Sequence, residues 1–179
     1  MKTVKLAMLI ASIYCSAVVS GQTSNGHAYV DLDLSVKWAT CNVGANSPEG
    51  YGSYYQWGQE DVARISWGGK WRMPTETEFE ELFDEDNCVS TWTSLNGVNG
   101  YRVKSKKNGN SIFLPAAGCR MSEETGERIF EPSHADGCYW SSTPGEVGLT
   151  AIALDFDTDD YIIFGKPTFF WFTIRPVCE

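Results

Sequence analysis

Four successive aromatic residues, Phe169-Phe170-Trp171-Phe172, stand shortly before the C-terminus, and they restrict what the rest of the chain has to build. Side chains on an extended strand leave by alternate faces, so Phe169 and Trp171 point one way and Phe170 and Phe172 the other. Only one of those faces can meet a single core. Either the strand is buried on both sides, or one aromatic face is kept for a partner. Just upstream lies Leu154-Asp155-Phe156-Asp157-Thr158-Asp159-Asp160-Tyr161-Ile162-Ile163-Phe164. Here Ile152, Leu154 and Phe156 share one strand face and Ala153, Asp155 and Asp157 the other, with Thr158-Asp159 as a turn into Tyr161 to Phe164. Gly165-Lys166-Pro167 reads as a second turn, leading to a closing strand from Phe169 to Val177.

Lys2 and Lys5 precede the apolar run Leu6 to Val19, which Ser20 and Gly21 close. This layout is that of a secretory signal over residues 1–21 rather than a membrane span. A lipid anchor on Cys15 is the competing reading, disfavoured by bulky Ile13 and Tyr14 just before it. Residues 22–179 then form a single domain, long enough for a real core and without a linker-like stretch. The expected location is outside the cell, in the periplasm or on the outer surface, with membrane contact only through a lipid anchor. Losing two lysines and no acids with the signal takes the formal charge from −9 to −11. Such a surface repels phosphate backbones and anionic lipid, which argues against nucleic acid as a partner.

Cysteines 41, 88, 119, 138 and 178 remain after the signal, an odd number in a compartment that permits disulfides. Cys119 and Cys138 bracket a polar excursion, and a bridge between them is the first expectation, closing a loop of about twenty residues for about 3 kcal/mol. The alternative is five buried thiols packed as small hydrophobes.

Tyr29 to Ala39 alternates apolar with polar residues, the period of a half-buried strand or strand pair. Ser53 to Gly58 is compatible with another short strand. Thr75 followed by Glu78 makes a capping box, with Phe79, Leu82 and Phe83 at helical spacing behind it. The acids Glu76, Glu78, Glu80, Glu81, Asp84, Glu85 and Asp86 around that stripe read as a solvated face. Asn108-Gly109 between Tyr101–Ser105 and Ser111–Leu114 signals a hairpin, and Glu123 to Pro132 an irregular surface excursion. The fold class is α+β, with short antiparallel strands, one or two helices and long ordered loops.

Chemistry-bearing patterns are sparse. His27 and His134 are the two histidines, placed in the N-terminal segment and in the polar excursion, with no nucleophile elbow and no paired C-x-x-C spacing. Asp155, Asp157, Asp159 and Asp160 invite a calcium reading, but Asp160 and Lys166 occupy positions where an EF-hand needs Gly and Glu. A non-enzymatic chain without metal or cofactor is the expectation.

Trp38-Ala39-Thr40-Cys41-Asn42-Val43-Gly44, Trp71-Arg72-Met73-Pro74-Thr75, Phe113-Leu114-Pro115-Ala116-Ala117-Gly118, Tyr139-Trp140-Ser141-Ser142 and Ile174-Arg175-Pro176-Val177 follow one another in that order. By these motifs the chain resembles the Fibrobacter succinogenes major paralogous domain family, found in secreted proteins of Bacteroidetes. The resemblance implies a C-type-lectin-like fold, related to variable proteins of diversity-generating retroelements, whose ligand contacts lie just before the closing Arg-Pro-Val strand. Carried onto this chain, it places the binding surface between Ala151 and Phe172. The candidate ligand-binding residues are Asp155, Asp157, Asp159, Asp160, Tyr161, Ile163, Phe164, Thr168, Phe169, Phe170, Trp171 and Phe172. Where relatives often carry Arg and then Gly, this sequence has Thr168 and Trp171, a more hydrophobic surface. The implied ligand is a protein or a glycan. A structural or assembly module of the cell envelope is the alternative, and a copper oxidase of the formylglycine-generating type, using Cys119 and Cys138, is a more distant one resting on fold analogy.

Overall fold

The chain's alternating and aromatic stretches fold as short strands in the computed structural model, which describes residues 22–58, 60–123, 126–128 and 135–179. Residues 1–21, where the signal is expected, with Cys15 among them, and His134 lie outside the described residues. In chain order the first elements are β1 (Gln22–Ser24), β2 (His27–Val30), β3 (Lys37–Ala39), β4 (Tyr55–Gln56), α1 (Val62–Trp67), α2 (Glu76–Phe83), β5 (Cys88–Leu95), β6 (Val98–Ser105) and β7 (Ser111–Pro115). Then come β8 (Arg120–Glu123), β9 (Gly126–Arg128), β10 (Gly137–Pro144), β11 (Thr150–Phe156), β12 (Tyr161–Pro167), β13 (Phe170–Phe172) and β14 (Val177–Cys178). Two short helices among antiparallel strands make this an α+β chain.

Four small sheets share the strands. Their orders are β1-β2-β3-β14, β4-β13-β8-β9, β5-β6-β7 and β10-β11-β12. The expected Tyr29–Ala39 strand is a strand pair: Asp33 takes a left-handed conformation at φ 58° and donates its N–H to the Asp31 carboxylate, separating β2 from β3. The Glu123–Pro132 excursion is not irregular throughout, since β8 and β9 pair from Met121–Arg128 to Glu123–Gly126. Asn108-Gly109 does sit in the β6–β7 connection. The tighter turn is Asn96-Gly97, both left-handed at φ 50° and 85°, which joins β5 to β6 in register Leu95–Val98; two-residue hairpin turns demand that conformation.

Helix α2 starts as its capping box dictates, Thr75 accepting from the Glu78 N–H and Glu78 from the Thr75 N–H. Its Phe79, Leu82 and Phe83 are buried. One of its acids departs from the expected solvated face: Glu78 is buried and grips Arg72 at 2.6 and 2.9 Å. Burial is tolerated because both carboxylate oxygens are bonded, to the Arg72 fork and to the Thr75 N–H.

The β10–β11 pair lies between two apolar clusters. Tyr139, Leu154 and Phe156 face the cluster built on α2 and β5–β7, while Cys138, Trp140, Ala151 and Ala153 face a second one with Val43, Met73 and Phe172. The alternation in β11 is therefore real but neither face is left to water over Ala151–Leu154. Gly137 sits opposite Phe156, whose ring occupies the space a side chain would need, 2.3 Å from an added Cβ. On one edge of this sandwiched sheet runs β12, and beside it the candidate site.

Candidate functional site

Two hydrogen-bonding carboxylates shape the turn between β11 and β12. The Asp157 N–H bonds the Asp160 carbonyl at 3.0 Å. Asp157 Oδ1 accepts the N–H groups of Asp159 and Asp160 at 2.8 and 3.1 Å, and Asp160 Oδ1 accepts that of Tyr161 at 2.7 Å. The two backbone donors, that of Asp159 foremost, hold the Asp157 carboxyl below the usual range. Tyr161 then lays its ring against Phe83, centroids 4.6 Å apart, and donates its hydroxyl to the Phe83 carbonyl. Burial, then the nearby acids Glu85 and Asp160, push that phenol upward. Between the turn and α2 opens a cavity of about 380 Å³, with Phe83, Tyr101, Tyr161, Glu85, Asp160 and Lys106 in its wall. A second concavity, about 340 Å³, lies on the opposite side of the hairpin over Asp136, Asp155, Asp157 and Ile162. Asp160 and Tyr161 belong to both.

On the face carrying Asp155 the groups interlock. Lys166 pairs with Asp155 at 2.6 Å and sits 4.3 Å over the Phe164 ring. Asp155 also accepts from the Cys138 thiol at 3.5 Å. Cys119 and Cys138 are thiols close enough to shift one another: the neighbouring Cys138, ahead of burial, draws the half-buried Cys119 thiol below its ordinary value, and Cys119, with burial, raises that of Cys138. Among the described residues no disulfide is formed, and Cys41, Cys88 and Cys178 are thiols too. Asp136 is raised, by burial first and then by Asp155.

The four aromatics form a ladder rather than two clean faces. Phe169 precedes β13 in a turn and is half exposed, stacking on Phe170 at 4.9 Å; Phe170 stacks on Phe172 at 5.6 Å, and Phe172 meets Trp140 at 4.2 Å. The extended stretch begins only at Phe170, so Phe169 does not share Trp171's face by alternation. Phe172, 1% exposed, is core and is removed from the ligand-binding set. Ile163 and Phe170 are half-buried against the two clusters, and Thr168 is tied to the Leu149 carbonyl. Trp171 is half-buried on β13 opposite Gln56 and Arg120. What remains accessible is Asp157, Asp159, Asp160, Tyr161 and Phe169, with Asp155 and Phe164 in part.

Residues from elsewhere complete the surface. Phe83, Glu85 and Lys106 come from distant segments, and Lys106 Nζ donates to the Glu85 carbonyl. Ile162, 55% exposed, also belongs to this surface, since strand alternation sets it beside Phe164 on the outer face. His27 is not in a loose segment: it belongs to β2, stacks on Trp67 at 3.9 Å and is shifted down by burial. Among the described residues no group of three His, Cys, Asp or Glu side chains is placed to hold a metal ion. Compared with family models, curated proteins and solved structures, the chain matches none, so the surface is read from its own geometry.

Proposed function

We propose that this chain is a secreted, non-enzymatic binding domain of C-type-lectin-like fold in the Fibrobacter succinogenes major paralogous domain family, taking a protein or a glycan on the β11–β12 turn and the neighbouring aromatic residues. The observation that carries the reading is an exposed ring set beside exposed acids on concave ground: Tyr161 beside Asp159 and Asp160, over the cavity between the turn and α2. Rings supply large contact area with few torsions to freeze, and carboxylates orient hydroxyl or amide donors. Sugars suit that mix because their apolar faces stack while their hydroxyls bond to acids.

The test is binding of the purified mature domain to glycan and protein arrays. Phe169→Ala and the double change Asp159→Asn with Asp160→Asn are expected to abolish the strongest signals while leaving the fold intact. Binding untouched by both, and by Trp171→Ala, would remove the assignment. A second reading, an assembly module of the cell envelope, draws on three exposed aliphatic side chains near β12: Val147, Leu149 and Ile162, at 75, 84 and 55% exposure.

A further inference from the structure

Among the described residues, strand β12 is bonded to β11 on one side only. The phase of the ladder follows from the Asp157 N–H to Asp160 carbonyl bond at the turn. Alternation from there turns the backbone groups of Ile162, Phe164 and Lys166 toward β11 and those of Ile163 and Gly165 away from it. Pro167, which has no N–H, falls at an outward position, as that phase requires. Tyr161 N–H is taken by Asp160, whereas Ile163 and Gly165 have no backbone partner among the described residues.

Exposed edges are ordinarily blunted by lysine, proline, a bulge or a covering segment. Here Lys166 is turned onto Asp155, Pro167 stands only at the end, and the register from Tyr161 to Pro167 runs without a bulge. On the α2 side, the edge is flanked at Tyr161 by the cavity described above and at Gly165 by another of about 370 Å³, lined by Glu76, Glu146, Val147, Thr150 and Ile152. Tyr161 and Gly165 are about 13 Å apart on an extended strand, so an added strand would present residues four apart to the two hollows. Acids outnumber bases in both hollows, with Glu85, Asp159 and Asp160 against Lys106 at one end and Glu76 and Glu146 at the other.

The geometry points to the outer edge of β12 as a docking strand for an extended segment of a partner protein, bound by main-chain pairing to Ile163 and Gly165 and carrying Lys or Arg at two positions four apart. Main-chain bonds give such strand addition its affinity, and alternate side-chain pockets give it specificity. A second copy of this chain is a poorer occupant, because edge-to-edge pairing would bring two acidic rims together. The edge shares with the surface proposed above the cavity between the turn and α2, with Asp159, Asp160 and Tyr161, and is separate from it at the Gly165 hollow and at Phe169.

The experiment is a displayed random-peptide selection on the mature domain, followed by anisotropy titration of the enriched peptides. Gly165→Pro blocks the edge where no ladder bond to β11 is lost, and a side chain there meets nothing closer than Thr150 at 3.8 Å. The expected result is enrichment of β-branched peptides with basic residues four apart, binding at least about tenfold weaker to Gly165→Pro and to Glu76→Lys with Glu146→Lys. Melting curves confirm that each variant is folded. Peptides that ignore Gly165→Pro, that are acidic, or that are not enriched at all would overturn the proposal, as would a dimer in light scattering that Gly165→Pro dissociates. Array binding lost in Phe169→Ala but kept in Gly165→Pro would uphold the ring surface whatever the fate of the edge.

Discussion

Arg175 and Asn42, 133 positions apart, meet inside the protein, where the guanidinium Nε donates to the Asn42 side-chain carbonyl at 2.7 Å. Neither residue is exposed. The other donors end on the carbonyls of Ala39, Thr40 and Phe113 at 3.1, 3.0 and 2.9 Å. Asn42 in turn donates to the Tyr139 hydroxyl, which donates to the Pro115 carbonyl. One planar fork thereby ties its own stretch to two others, residues 39–42 and Phe113, through neutral acceptors, and Asn42 extends the tie to Tyr139, while burial draws the guanidinium pKa down. Those stretches coincide with four of the five ordered sequence motifs, all but Trp71–Thr75. The motifs thus describe a framework, and the surface it presents lies in the sequence between them.

Replacing Arg175 is therefore expected to be among the most damaging single changes. Arg175→Met strands four buried acceptors, and Arg175→Lys, a point donor, cannot reach them all; each is expected to lose about 3–5 kcal/mol in urea unfolding, the methionine variant more. A loss under about 1 kcal/mol for Arg175→Met would show that the fork is not the tie described here.

Along the aromatic ladder, stability and binding are expected to part company. Phe172 fills the core against Trp140, so Phe172→Ala is expected to cost about 3–5 kcal/mol. Phe169 is 49% exposed, and Phe169→Ala is expected to stay within about 0.5 kcal/mol. Equal melting temperatures for the two variants would contradict the ladder.

Local chemistry was the legible part of the sequence. The Thr75–Glu78 box, the β11 alternation and the turn at Thr158-Asp159 each depend on neighbours a few residues away, and each forms. Asn96-Gly97 carried the same signal as Asn108-Gly109 and marks the tighter turn. What could not be read were facts that need distant partners. Phe172 is core because Trp140 arrives beside it, Glu78 is buried because Arg72 does, and α1 is capped by Asp61, whose carboxylate also accepts the Met73 N–H. The site divides likewise: its acids and Tyr161 are contiguous, while Phe83, Glu85 and Lys106 come from other elements.

The Cys119–Cys138 contact yields a redox prediction. The parallel bridge between Gly118 and Gly137 brings the two following residues alongside one another, close enough for each thiol to shift the other. Under mild oxidation peptide mapping is expected to find this pair joined, stabilising the chain by about 3 kcal/mol relative to Cys138→Ser. Cys88 and Cys178 are buried in different clusters and should stay thiols in the folded protein. Preferential recovery of any other pair from folded material would refute the assignment.

Acid sensitivity is expected at the start of α2. Burial opposes ionisation of Glu78, yet the hydrogen bonds from Arg72 and from Thr75 outweigh it and hold the carboxyl below its reference value of 4.5. The unfolded chain therefore takes up the proton first as pH falls. The stability this group contributes is complete above about pH 4.5 and drains away as pH drops through the lower folded-state value. Glu78→Gln keeps the side-chain shape but removes the charge facing Arg72, whose own pKa is raised chiefly by its bond to Glu78. The variant is expected to be less stable than the parent by about 1–3 kcal/mol near neutrality. Melting curves at successive pH values should show that gap closing below about pH 4.5. A gap of constant size down to the acid limit would mean that the loss does not come from the charge of Glu78.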